Sequence, residues 1–229
     1  HFFEEICARN IKDMDKKFLQ KLCVDRKLPL AAFSGLELGR DGMRYTFPVR
    51  DDRGRIQDMR IYRPGRKVIS TATCSTGLLG LQWLRKSPEN WPIYLCEGDW
   101  DFMAMRWLIG FLKENAIVLG VPGANTFKKE WIRHFNERIV YVCYDNDGAG
   151  EDGELVVKER LTSVAKEIKY LHWSERMPSG YDIRDLITQE AIKKSKPRKT
   201  FNFIKAALQL NTRKLDLKKE NIATVEDTV

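Results

Sequence analysis

The chain has 229 residues, of which 43% are hydrophobic and 31% charged, and its formal net charge is +8. This length supports one large domain or two small ones with a packed core. No membrane-length apolar run, signal peptide or Cys-x-x-Cys pair is present, so neither a membrane protein, a secreted protein nor a structural zinc site has support. The positive charge makes nucleic acid the first candidate partner, with a solvated Lys/Arg surface as the alternative.

The five cysteines are scattered singly along the chain. Cys96 and Cys143 lie inside strand-like runs and are predicted to be buried free thiols, which suits a reducing, cytoplasmic compartment. The chain begins with His1 rather than Met, and we expect it to be part of a longer protein.

Residues 1–30 predict one or two short helices, because apolar residues recur there at helical spacing until Pro29. Residues 45–49 and 56–62 are strand-like, and the Asp-Asp-Arg-Gly turn at 51–54 joins them into an antiparallel hairpin. The hairpin region is rich in arginine, whose planar fork matches phosphate oxygens, whereas a merely solvated edge usually mixes signs and favours lysine. We assign nucleic-acid or nucleotide contact to Arg44, Arg50, Arg53, Arg55, Arg60, Arg63, Arg66 and Lys67.

From residue 91 onward, strand-like and helical patterns alternate. Strands are predicted at 93–97, 116–121, 139–144 and 168–173, and helices at 102–108, 127–137, 151–165 and 185–191. Such alternation predicts an α/β fold with a mostly parallel four-stranded sheet and helices on both faces. The basic run 193–199 is either a linker or a nucleic-acid contact, residues 201–210 form a short amphipathic helix, and the last twenty residues are polar and loose.

Two acidic stretches follow predicted strands, and they hold the candidate catalytic residues. Glu97 and Asp101 follow the first strand of the α/β part, and Asp145 and Asp147 follow the third. Parallel strands end at one edge of a sheet, where ligands bind, and carboxylates gathered there suit Mg²⁺. The alternative is that these acids only cap the helices that follow.

A third acidic pair, Asp182 and Asp185, follows the fourth strand and returns to the same edge or, alternatively, caps the next helix. Gly98 permits either close backbone approach or an unusual dihedral beside Glu97. Residues 148–153 spell G-x-G-x-x-G, but a dinucleotide pyrophosphate there would face several carboxylates. We interpret Gly148 and Gly150 instead as small residues at a tight turn in a metal-site loop.

Glu-Gly-x-x-Asp at 97–101 and Asp-x-Asp-x-Ala-Gly at 145–150 together resemble the TOPRIM domain of topoisomerases, bacterial-type primases and some nucleases. Residues 47–56 resemble the basic N-terminal subdomain of bacterial and phage primase cores, and residues 76–81 the link between that subdomain and the TOPRIM fold. The resemblance implies a smaller basic α+β subdomain at 1–90, a Rossmann-like TOPRIM domain at 91–192, and a basic linker with a C-terminal helix or tail at 193–229.

The resemblance also implies a DNA primase catalytic core that makes short RNA primers on single-stranded DNA from ribonucleoside triphosphates. In its terms, Glu97, Asp145 and Asp147 hold two or more Mg²⁺ or Mn²⁺ ions, and Asp101, Asp182 and Asp185 support them by ligation or through water. Family members usually have a zinc-binding module upstream and often a helicase downstream or in trans. Some relatives of phage primase–helicases lose the acids that this chain keeps.

Two alternatives stay open at this point. A TOPRIM nuclease would use the same acids without nucleotides, and a topoisomerase-like enzyme would need a tyrosine nucleophile, for which no candidate stands out. A non-catalytic DNA-binding module attached to a replicative helicase would retain affinity for single-stranded DNA but bind metal weakly.

Overall fold

The computed structural model describes residues 2–71 and 74–209 of the chain. Its N-terminal part begins with helices α1 (Phe2–Lys12) and α2 (Lys16–Arg26), followed by a 3-10 turn at Leu30–Phe33. An antiparallel sheet comes next, in the order β1-β2-β3-β4, with strands β1 (Gly39–Asp41), β2 (Arg44–Arg50), β3 (Ile56–Tyr62) and β4 (Ile69–Ser70). The predicted helices and hairpin are therefore confirmed.

The hairpin turn is stabilised by Asp51, whose carboxylate accepts hydrogen bonds from the backbone N–H groups of Arg53 and Arg55, both at 2.9 Å. Gly54 adopts a φ of +83°, a left-handed conformation that costs glycine little. This local chemistry is what made the turn predictable from sequence.

A second sheet is wholly parallel, in the order β6-β5-β7-β8. Its strands are β5 (Ile93–Cys96), β6 (Ile117–Gly120), β7 (Ile139–Cys143) and β8 (Glu167–Tyr170). The helices are α3 (Leu81–Leu84), α4 (Asp99–Leu112), α5 (Gly148–Leu161), α6 (Ile183–Leu186) and α7 (Pro197–Gln209). This is the α/β fold that the alternating pattern predicts.

The parallel sheet has an apolar core on each face. Side chains alternate along β5, so Ile93 and Leu95 pack on one side with α5, while Tyr94 and Cys96 pack on the other with α4 and α7. The five cysteines are free, and Cys7, Cys96 and Cys143 are buried, as predicted for the last two. Among the described residues, no helix combines the length and apolarity needed to cross a membrane.

Three segments differ in detail from the predicted elements. The region 127–137 forms a 3-10 helix at Lys129–Phe135, a conformation typical of short segments. The predicted helix at 185–191 is a single α turn followed by a π-helical segment, Ile187–Lys193. The basic run leads directly into α7, which buries Phe201, Ile204 and Leu208 against the core. The prediction of a loose tail concerns residues 210–229, which lie outside the described residues.

The two sheets share one hydrophobic cluster, which places the N-terminal part against the start of α4. Tyr62 of β3 contacts Trp100 with ring centroids 4.8 Å apart, and Phe47 of β2 contacts the same ring. The connecting segment adds a backbone bridge, because Leu79 and Gly120 exchange N–H···O bonds at 2.9 and 3.0 Å. The acidic loop before α4 is therefore positioned by both sheets.

Candidate active site

Glu97 lies at the centre of the carboxyl edge of the parallel sheet. It follows β5, which pairs with β7 so that Cys96 stands opposite Cys143. The carboxylate of Glu97 accepts a hydrogen bond from the backbone N–H of Asp145 at 3.2 Å and another from that of Ala124. The loops after β6 and β7 thus orient Glu97 from both sides, because β5 lies between those two strands.

The loop after β7 brings Asp145 and Asp147 to the same edge. Asp147 is the N-cap of α5 and accepts a hydrogen bond from the Gly150 N–H at 2.8 Å. A Cβ on residue 150 would lie 2.3 Å from the Asp145 carbonyl oxygen, so the turn requires glycine. Gly148 has open space around it, and nothing in the structure demands glycine there. Asp147 therefore caps α5 and also lies among the gathered carboxylates, so both interpretations of this acidic stretch apply.

Asp101 and Asp182 meet on the other side of Glu97, through α4 and α6. Asp182 is the N-cap of α6 and accepts from the Asp185 N–H at 2.6 Å. Arg184 joins the pair: its backbone N–H donates to Asp101 at 3.1 Å, and its guanidinium donates to Asp182 at 2.7 Å. Asp185 is more exposed and stands 3.9 Å from the same guanidinium.

Gly98 lies between the two sets of acids. A Cβ at this position would come 2.8 Å from an Asp101 carboxylate oxygen. Glycine therefore lets Asp101 approach the loop that carries Glu97, which is the close approach predicted from sequence.

The crowded carboxylates raise one another's pKa values. Burial, and then the charges of Asp101, Glu97, Asp182 and Asp147, raise the pKa of Asp145 to about 9. Burial and the neighbouring Asp101 raise the pKa of Asp182 to about 7. Burial also raises the pKa of Glu97, and that of Asp101 despite the opposing effect of Arg184. Without metal, the cluster holds protons that ordinary surface carboxylates would have lost.

This donor set fits a hard divalent cation. Carboxylate oxygens are the ligands that Mg²⁺ and Mn²⁺ prefer, and a cation would relieve the repulsion that now favours protonation. Glu97, Asp145 and Asp147 are the residues that could hold such an ion. Within the described residues, no group of three or more acidic, histidine or cysteine side chains is placed so that it could hold a metal ion. Binding would therefore require the partly exposed side chains of Glu97, Asp145 and Asp147 to rotate toward one another.

The raised pKa of Asp145 predicts how the free energy of unfolding of the metal-free protein depends on pH. The folded chain keeps this proton up to about pH 9, whereas an unfolded chain releases it near pH 4, so the folded state binds more protons between these limits. The free energy of unfolding should therefore fall as pH rises across this window. Asp145→Asn lacks the titrating group and should lose less stability over the same range.

Urea unfolding in EDTA at pH 5, 7 and 9 measures this difference. Asp152→Asn is the matched control, because Asp152 is exposed on α5 and should retain the wild-type pH dependence. Identical pH dependence in Asp145→Asn and wild type would contradict the raised pKa.

The candidate phosphate-binding residues of the hairpin region fall into three groups. Arg44, Arg50 and Arg55 form ion pairs with acidic neighbours, Arg50 with both Glu4 and Glu37. Four are exposed with no side-chain partner among the described residues, namely Arg53, Arg63, Arg66 and Lys67. The last, Arg60, is 1% exposed and lies inside the protein.

The assignment of Arg60 to nucleic-acid contact is therefore corrected. Its guanidinium donates to Asp58, to Ser70, to the Gly77 carbonyl at 2.9 Å and to Asp99 at 3.3 Å. The alternation of β3 carried the signal, because Arg60 is two residues from Tyr62 and so shares its buried face.

Two further residues of the site were not singled out from sequence. Arg184 balances Asp101 and Asp182, and its position between two predicted acids was a usable signal. Asn146 donates its side-chain N–H to the carbonyls of Met177 and Pro178 at 3.2 and 3.0 Å. It thereby ties the Asp145–Asp147 loop to the segment before α6, a contact that sequence alone does not indicate.

Comparison with known proteins agrees with this geometry. The family model described as Toprim-like matches residues 94–187. An uncharacterized protein of Mycoplasma genitalium, MG010, is 32% identical over 102 residues, which are 44% of this chain and 43% of that protein. The chain thus spans less than half of the length of this curated relative.

Solved structures share the fold over most of the chain. The E. coli primase catalytic core has a TM-score of 0.65 at 16% identity, covering 89% of this chain and 78% of that chain. The DnaG primase catalytic domain bound to ssDNA has a TM-score of 0.64 at 16% identity, covering 93% and 84%. The primase fragment of the bacteriophage T7 primase-helicase has a TM-score of 0.56 at 14% identity, covering 79% and 72%.

Proposed function

We propose that this chain, in which residues 94–187 form a Toprim-like domain, is the catalytic core of a DNA primase that makes short RNA primers on single-stranded DNA. The observation that carries the proposal is the cluster of carboxylates at adjacent strand ends, whose raised pKa values mark uncompensated negative charge. The cluster lies at the carboxyl edge of the parallel sheet, in a fold that is shared with primase catalytic cores, and this supports a nucleotidyltransferase.

Each acidic residue has a distinct part in this proposal. When bound, Mg²⁺ or Mn²⁺ supplies the positive charge that balances phosphate oxygens during in-line displacement of pyrophosphate by a 3′-hydroxyl. Glu97 is oriented for this task by the backbone N–H groups of Asp145 and Ala124. Asp147 is held by Gly150, while Arg184 positions Asp101 and Asp182 beside the centre. Asp185 completes the outer part of the cluster.

The exposed basic residues of the N-terminal sheet are the proposed contacts for template or triphosphate. Arg63, Arg66 and Lys67 lie in and beside the turn between β3 and β4, and Arg53 lies in the hairpin turn. The relatives' names support the wider setting, since one structure is a DnaG domain bound to ssDNA and another a primase-helicase fragment. We propose ribonucleoside triphosphates as substrates. The proposed partners, in cis or in trans, are a zinc-binding module and a helicase. A cytoplasmic location is consistent with the free thiols.

Replacing Arg63, Arg66 and Lys67 together by alanine should weaken binding of single-stranded DNA and flatten its salt dependence. Each phosphate contact on a single strand contributes about 0.7 to the slope of log K against log salt, so the slope should fall by roughly 2. Fluorescence anisotropy with a labelled oligodeoxynucleotide at several salt concentrations measures both effects. The matched control replaces Lys12, Lys16 and Lys17, which are exposed on α1 and α2. An equal loss in both triple variants would indicate a general charge effect and remove the assignment.

The deciding experiment is primer synthesis on a single-stranded DNA template with labelled ribonucleotides and Mg²⁺ or Mn²⁺. Short oligoribonucleotides that disappear in EDTA are the expected result. Metal-dependent cleavage of the template without synthesis would favour a nuclease. Template binding with neither activity, also after adding a zinc-binding module and a helicase, would favour a non-catalytic DNA-binding module.

A further inference from the structure

The loop after β7, which carries two of the acids, is fastened to the segment before α6 by the residue between those acids, Asn146. Its backbone N–H donates to the Tyr181 carbonyl at 2.9 Å, and its carbonyl accepts from the Gly180 N–H at 2.8 Å. Its side-chain N–H₂ group donates to the carbonyls of Met177 and Pro178 at 3.2 and 3.0 Å. All four of these hydrogen bonds therefore reach a single segment of the chain.

The side-chain bonds depend on the chemistry of an amide. A neutral amide carries two donor protons on one nitrogen, so the side chain of Asn146 can serve two backbone carbonyls at once. An aspartate of the same shape has only acceptor oxygens when it is ionised, and alanine has no polar side-chain atom. Neither residue could therefore replace asparagine in fastening the loop.

The segment that Asn146 binds leads directly to another acid of the cluster. Tyr181 precedes Asp182, the N-cap of α6. The ring of Tyr181 packs edge-on against Trp173 with centroids 5.3 Å apart, and the indole N–H of Trp173 donates to the Tyr144 carbonyl at 2.7 Å. The residues on either side of Asp145 are thus both held by the region that positions Asp182.

The distance between these parts of the backbone decides which carboxylates a cation can draw together. The charge of Asp182 helps to raise the pKa of Asp145, so the two groups interact across this edge of the sheet. In the described part of the chain, however, no three such side chains are placed to hold an ion. Side-chain rotation can gather them only from backbone positions that are close enough. A loop that is already fastened also loses less conformational freedom on binding.

We propose that Asn146 is a positioning residue of the metal site. It holds the loop of Asp145 and Asp147 at a fixed distance from Asp182, and it thereby sets the affinity for a divalent cation without binding the cation itself. The inference rests on the proposed function, because it takes the acidic cluster to be the metal site of the primase core. Its contribution comes from contacts across the sheet edge and not from charge.

Mn²⁺ binding by the full chain at pH 8, followed by electron paramagnetic resonance, tests this role without nucleotide or template. Asn146→Ala keeps the backbone hydrogen bonds but loses both side-chain bonds. Its affinity for Mn²⁺ should fall about 10- to 100-fold, the range found when a residue that orients metal ligands is replaced. The matched control is Asn10→Ala, which removes a buried amide that donates to Thr46 Oγ1 at 3.0 Å in the N-terminal part. This control should keep the wild-type affinity, and melting temperatures check that both variants are folded.

A double variant distinguishes positioning from a general loosening of the loop. If Asn146 acts by fixing Asp145 relative to Asp182, its replacement should matter less once Asp182 carries no charge. In the Asp182→Asn background, Asn146→Ala should therefore change the Mn²⁺ affinity by about threefold or less. Asparagine at position 182 can still cap α6, because its side-chain oxygen also accepts from a backbone N–H.

Primer synthesis gives a second, independent readout. Asn146→Ala should raise the Mn²⁺ concentration needed for the half-maximal rate and recover most of the wild-type rate at saturating Mn²⁺. A catalytic residue would show a low rate at every Mn²⁺ concentration.

Four results would overturn the inference: no Mn²⁺ binding by the wild type, wild-type affinity in a folded Asn146→Ala protein, an equal loss of affinity in Asn10→Ala, or an undiminished effect in the Asp182→Asn background. Mn²⁺ binding that depends on Asn146 without any primer synthesis would count against the proposed function alone. Primer synthesis together with unchanged Mn²⁺ affinity in Asn146→Ala would count against this inference alone.

Discussion

Asp145→Asn is expected to lower metal-dependent primer synthesis by on the order of 100- to 1,000-fold, the range found when one charge-stabilising group is removed from an active site. Burial, and then the charges of its acidic neighbours, raise the pKa of Asp145 to about 9, so a bound cation would strongly change the protonation of this group. The asparagine side chain has the same shape but cannot carry the negative charge. The measurement is the initial rate of labelled primer formation at saturating Mg²⁺ or Mn²⁺.

Two comparisons separate this loss of activity from loss of structure. Asp152→Asn removes an exposed carboxylate from α5, the helix that follows the Asp145 loop, and should keep wild-type synthesis. Asp145→Asn should melt in EDTA at or above the wild-type temperature, because folding no longer has to protonate a buried carboxyl group beside Glu97, Asp101 and Asp182. Near-normal synthesis by a folded Asp145→Asn protein would exclude Asp145 from the metal site.

Arg60→Met is expected to destabilise the protein by about 3–5 kcal/mol, since it leaves the carboxylates of Asp58 and Asp99 buried without their shared cation. Burial already raises the pKa of Asp99, although Arg60 partly offsets this effect. For a chain of this size the melting temperature should fall by roughly 10 °C. Thermal unfolding followed by circular dichroism measures the change.

The control for Arg60→Met is Arg55→Met, in the hairpin turn that leads into β3. Arg55 pairs with Asp51 at 2.8 Å, but its side chain is exposed, and such pairs contribute about 1 kcal/mol or less. The double variant Arg60→Met/Asp99→Asn should recover part of the lost stability, because one buried charge is neutralised. Equal costs for Arg55→Met and Arg60→Met would show that the buried network contributes little.

This network has a consequence for the active site as well. Asp99 lies between Glu97 and Asp101 and joins the first turn of α4 to β3 through Arg60. The Gly77 carbonyl, in the connecting segment, binds the same guanidinium. Residues from both sheets therefore determine where the acidic loop stands.

The sequence by itself determined the elements and the acidic edge. Alternation of strand-like and helical runs predicted the parallel sheet, because buried parallel strands need crossover helices to cover them. The strand ends at Glu97 and Asp145 then had to share one edge, since parallel strands all end on the same side. The local sequence was also sufficient to predict the turn at Asp51 and the tight turn that contains Gly150.

Only the tertiary structure decided which charges are free to act. Arg60 and Arg63 are alike in sequence, but β3 packs one against Asp99 while the other stays in solvent. Arg184 meets Asp101 across 83 positions of the chain, and α7 folds back to close a cavity beside Asp185. Burial and charge balance depend on which faces come together in space, and a pattern of neighbours along the chain does not contain that information.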